Sequence, residues 1–91
     1  MDYIRVRWIH TLLNEPIWLI SELDADRMET RKVYIFRDGS KGYATQGEEV
    51  GDTRLGIMPV PPLEEIASDP QFLPEQISEA EFEVIWAERS R

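Results

Sequence analysis

Cysteine is absent from the 91 residues, and histidine occurs once, as His10. Each scarcity removes a class of chemistry. Small secreted domains usually lean on disulfides, so a chain without thiols is expected in the cytoplasm. One imidazole cannot assemble the four Cys or His ligands of a structural zinc site. A thiol nucleophile is excluded, and a serine triad would have to rely on His10 with no supporting motif around it. His10 closes a strand pattern and reads as a strand-end or loop residue. Apolar runs are short, as at Ile17–Ile20, far below the roughly 20 residues of a membrane helix. Met1–Trp8 lacks the basic-then-apolar order of a secretory leader and reads as a strand. The five glycines are Gly39, Gly42, Gly47, Gly51 and Gly56, and none opens a helix directly after a strand, so there is no phosphate loop. No cofactor and no metal are expected, and the chain is expected not to be an enzyme.

Carboxylates, by contrast, are abundant. The formal charge is −8, and its distribution is uneven. Residues 1–46 hold seven acids and seven bases, so the whole surplus falls in residues 47–91. A carboxylate pair could do acid–base work, as in glycosidases, but that chemistry needs a cleft around a substrate. Glu48, Glu49 and Asp52 sit together on a Gly-rich stretch. Their spacing does not match the twelve-residue calcium loop, so they read as a solvated acidic loop. An acidic surface repels nucleic acid and anionic membrane and attracts basic protein surfaces.

The pattern along the chain predicts one α+β domain over 1–91. Tyr3–His10 alternates, with Ile4, Val6 and Trp8 on one face and Tyr3, Arg5 and Arg7 facing outward. Ile17–Leu23, Met28–Arg37 and Lys41–Gln46 follow as strands, with Asp38-Gly39 as a tight turn. Residues 1–46 thus read as a four-stranded antiparallel meander and 47–61 as an acidic Gly/Pro loop. Residues 62–91 read as a helical C-terminal part. Pro61-Pro62 opens a short helix with Leu63, Ile66 and Ala67 on its apolar side. Phe72 and Leu73 read as an anchored loop. Ser78 and Glu81 form a capping box, and Phe82, Ile85 and Trp86 face the sheet. Strands followed by helices imply both helices packed on one sheet face.

The outward face of Tyr3, Arg5, Arg7 and Arg31 offers a basic, aromatic surface that could hold single-stranded nucleic acid. Pairing with Glu22 or Glu29 would neutralise much of it, so nucleic acid is a minor reading. Glu79 and Glu83 share a face of the last helix. Acids in a first helical turn, such as Glu64, Glu65 and Glu79, also suit the helix dipole. Val84, Ala80 and Ala87 lie off the Phe82–Trp86 stripe and could form a shallow second patch.

Several segments resemble a family of small bacterial domains of unknown function. They are Tyr3–Trp8, Ser21–Asp24, Arg31–Val33, Phe36–Gly39, Gly42–Ala44, Thr53–Gly56 and Pro61–Ile66, with Phe82 and Trp86. Such domains are similar to the acidic proteins encoded beside polymorphic toxins. That resemblance implies an immunity protein that binds and neutralises a basic toxin domain. The partner contacts expected from the acidic surface are Glu48, Glu49, Asp52, Glu64, Glu65, Glu79 and Glu83. A general adaptor domain that holds a cellular protein stays open, as do the oligomeric state and the strand order.

Overall fold

A computed structural model describes residues 1–90; Arg91, one of the bases of the acidic half, lies outside them. The strands are β1 (Asp2–Trp8), β2 (Trp18–Leu23), β3 (Glu29–Ile35), β4 (Lys41–Thr45), β5 (Glu48–Val50) and β6 (Phe72–Gln76). The helices are α1 (Leu63–Ile66) and α2 (Glu79–Ala87). All six strands join one antiparallel sheet in the order β5-β4-β3-β2-β1-β6. The expected four-stranded sheet is therefore too small by one strand at each edge.

Both extra strands were hidden for physical reasons. β5 is three residues long and lies on the surface, inside the Gly-rich stretch. Too short for a period-two pattern, it is set by the Gln46-Gly47 reversal after β4. β6 carries Pro74 at its centre, and proline argues against a strand unless it lies on an edge. Here it does. Ile77 N–H donates to Tyr3 C=O and Ile9 N–H to Gln71 C=O. The antiparallel alternation between these bonds turns the Pro74 nitrogen away from β1, toward the open edge. Phe72 N–H, also outward, is taken by Asp69 C=O at 3.0 Å. The β6 edge is thus short of free donors, which discourages pairing with another chain.

The helices also depart from expectation. They lie on opposite faces of the sheet, not on one. The connection from β5 to β6 must cross from one edge to the other, about 24 Å at ordinary strand spacing. It does so over the face of Ile4, Val6 and Leu23, bringing Val60, Leu63 and Ile66 down upon them. After β6 the chain turns back across the other face. There Phe82, Ile85 and Trp86 pack on Tyr3, Ile20 and Val33, with Trp18, Ile35 and Tyr43 around them. The sheet is consequently covered on both sides, and Tyr3, expected outward, is only 7% exposed.

The α2 face is closed by one arginine. Arg31 donates to Glu22 at 2.9 and 2.6 Å and to Glu83 at 3.0 and 2.8 Å. Its guanidinium lies 4.8 Å from the Phe82 ring and 5.1 Å from the Trp86 ring. The helix is thereby tied to β3 by both charge and stacking. Ser78 caps it, with the reciprocal Glu81 bond present.

The crossover is held differently. Arg27, at positive φ in the β2–β3 turn, donates to the carbonyls of Val60 and Pro61 at 2.8 and 2.9 Å. Gly56 N–H donates to Glu29 at 2.6 Å. Gly42 makes room for the rest: a Cβ there would run into Thr53 and come within 2.6 Å of the Gly51 carbonyl. Thr53 consequently sinks to 1% exposure against the sheet.

Candidate functional site

Seven carboxylates were expected to make partner contacts, and the fold distributes them over three places. Glu48 and Glu49 lie on β5, the far edge strand, and Asp52 follows at positive φ, all exposed. Glu49 and Asp52 line one shallow depression with Thr53 and Arg54, so these two come together. Glu64 and Glu65 stand exposed on α1, across the opposite face. Glu79 and Glu83 belong to α2, on the other side of the sheet. The seven do not form one contiguous surface.

The two α2 acids also have internal duties. Glu79 accepts from the Tyr3 hydroxyl at 3.2 Å, and Glu83 holds Arg31. Hydrogen bonding from Arg31 lowers the Glu83 pKa. Burial pushes the Tyr3 phenol up to about 12, with hydrogen bonding to Glu22 next in weight. Glu22 itself is lowered to about 2, chiefly by hydrogen bonds from Arg31. This network holds the fold together and offers no open reacting position.

The nucleic-acid reading loses most of its surface. Tyr3 is under α2, and Arg31 lies against the Phe82 and Trp86 rings and is paired with Glu22 and Glu83. Arg5 is paired with Glu75. Arg5 and Arg7 remain against the ring of half-buried Trp18, at 5.6 and 5.2 Å. Beside them, Leu73 and Ile9 are more than half exposed or nearly so.

Among the described residues, no three carboxylate or imidazole groups converge closely enough to hold a metal ion. His10 Nε2–H donates to Pro16 C=O at 2.8 Å, and Nδ1 accepts from Leu12 N–H at 3.0 Å. It is thereby occupied in bracing the β1–β2 loop.

A mainly apolar hollow lies on the crossover face. It is a cavity of about 360 Å³ between the sheet and α1. Ile4, Val6 and Leu19 form its floor, with Val60, Pro61, Ile66 and Phe72 around them. Four polar residues also border it: Ser21, Glu29, Glu65 and Asp69. Ser21 Oγ donates to Glu29 at 2.9 Å, and Lys32 Nζ pairs with Glu29 at 2.7 Å. Both members of that ion pair are 8% exposed at the side chain. A buried charge pair at the base of an apolar hollow fixes its orientation and satisfies its polar atoms. Asp69 Oδ1 accepts from Gln71 N–H at 2.9 Å, and Glu65 makes no side-chain hydrogen bond among the described residues. Of the seven expected residues, only Glu65 touches this cavity. No sequence signal could have marked it, because its walls come from four strands' worth of sequence separation and a four-residue helix.

A family model described as domain of unknown function DUF6881 matches residues 2–91. The chain belongs to that family. No curated protein and no solved structure matches it. The family therefore covers the sheet and both helices, and assigns neither an activity nor any link to toxin immunity. No helix among the described residues is long and apolar enough to cross a membrane.

Proposed function

We propose that this DUF6881 domain is a non-enzymatic, cytoplasmic binding protein whose partner is a basic protein domain, and that it serves as an immunity protein against a toxin. One observation carries the reading: among the described residues, seven of nine bases have a carboxylate or carbonyl partner, Arg7 and Arg54 being the exceptions, whereas eight of the eighteen acids have no side-chain partner. Arg5, Arg27, Arg31 and Lys32 each pair with a carboxylate. Arg37, Lys41 and Arg89 donate to the backbone carbonyls of His10, Glu88 and Trp86. Glu48, Glu49, Asp52, Glu64 and Glu65 make no ion pair among the described residues and stand exposed. A surface with unanswered negative charge accelerates association with a basic one, such as the cleft of an enzyme that cuts nucleic acid.

The test is co-expression with the protein encoded beside this one. A neighbour that kills its host alone and is harmless when co-produced supports the proposal. A neighbour that is harmless alone, or equally lethal in both cases, ends it.

A further inference from the structure

We infer that the cavity between α1 and the sheet is a binding site for a small amphipathic organic amine, free in solution. The inference goes beyond the protein-binding reading and does not depend on it. Its first support is size. About 360 Å³ is within the range of small-molecule sites, and a single side chain from a partner protein would fill only part of it. Its second support is chemistry. Ile4, Val6, Leu19, Ile66 and Phe72 offer an apolar seat, which favours a ring or branched alkyl body by burial.

Its third support is the sign of the charge. The cations of this face are already committed: Lys32 to Glu29, and Arg27 to Asp2 at 3.5 Å and to two carbonyls. Among the described residues, Glu65 and Asp69 make no ion pair, and Asp69 Oδ1 accepts from the Gln71 N–H at 2.9 Å. They line the same cavity from α1 and the residues just after it. Both are exposed, so the cavity has an apolar interior beside acidic residues that reach water. A molecule with an apolar body and an ammonium head matches that arrangement. An anion of the same shape meets two like charges.

The experiment is a two-dimensional amide NMR titration of the whole domain with three ligands sharing an indole ring. Tryptamine ends in an ammonium, tryptophol in a hydroxyl and indole-3-propionate in a carboxylate. Saturable shifts at Val6, Leu19, Ile66 and Phe72 are expected. Tryptamine should bind about fivefold tighter than tryptophol, the size of an exposed ion pair, with the carboxylate weakest. The Glu65→Gln, Asp69→Asn double variant should lose that order while keeping its affinity for tryptophol. Ile66→Trp, which fills the cavity, should stop all three. Absence of saturable shifts at these residues overturns the inference, as does equal affinity for the three ligands in the wild-type domain.

Discussion

The two faces of the sheet are covered in different ways. On one, the nine residues of α2 are capped, carry Phe82 at 0% exposure, and are bolted to β3 by Arg31. On the other, the four residues of α1 have no side-chain cap and no fully buried residue. That cover is held largely by backbone: the carbonyls of Val60 and Pro61 on Arg27, and the amide of Gly56 on Glu29. A long amphipathic helix can fill a sheet face with side chains. A crossover that must span the sheet in few residues cannot, and leaves a hollow. The stable face and the face with binding potential are thus separate in one small domain.

The contrast can be broken most severely at Phe82. Phe82→Ala should cost about 3–5 kcal/mol in chemical denaturation. Ile66→Ala, its half-buried counterpart under α1, should cost about 1 kcal/mol. Similar losses at both positions would show that the two faces are equally important to stability.

Arg31→Ala comes next. It leaves Glu22 buried without its partner, which costs about 3 kcal/mol, and it frees α2 from β3. The loss should appear as faster amide exchange along Glu79–Ala87 than in the crossover.

The same ion pair makes the α2 face acid-sensitive. The pKa of Glu22 is lowered from 4.5 to about 2 in the folded state. A depressed carboxylate pKa means that the folded state binds fewer protons than the unfolded one. The stabilisation is therefore complete above pH 4.5 and disappears as pH falls toward 2. Glu83, also lowered, acts in the same sense. Denaturant midpoints measured across that window should fall steeply for the wild type and less steeply for Glu22→Gln.

The smallest effect on stability is expected at the β5 edge. Converting Glu48 and Glu49 together to lysine should change stability by no more than about 0.5 kcal/mol, because both are exposed; Asp52 stays, since it sits at positive φ, where lysine would be strained. Partner affinity, followed by calorimetry once a partner is in hand, should weaken markedly. Unchanged affinity would move the interface off that edge.

Much of this architecture was legible in the residues. The alternation of Tyr3–Trp8, the Asp38-Gly39 turn and the Ser78–Glu81 box each report a local preference, and each local element forms. Gly39 has φ of 87°, as the hairpin demands. The outward reading failed at Tyr3, and held for half-exposed Arg5 and Arg7, because alternation tells which residues share a face, not whether a face is covered. Tyr3 shares its face with Arg5 and Arg7, but α2 reaches only Tyr3. β5 and β6 failed because a three-residue strand and a proline-centred strand carry no periodicity. Pairing with a neighbour decides them.

The acids show the same division. Their number, and their concentration after residue 46, are properties of the sequence alone and make the domain an acidic one in any fold. Which of them remain unanswered was decided in three dimensions. Glu83 was drawn to Arg31 by a helix that crosses back over the sheet. Glu65 was set beside an apolar cavity by a crossover that the sheet order requires. Local preference acts over a few residues, whereas the Arg31–Glu83 pair spans 52 residues of sequence and the cavity joins residues from Ile4 to Phe72. Only the closed sheet brings those groups together.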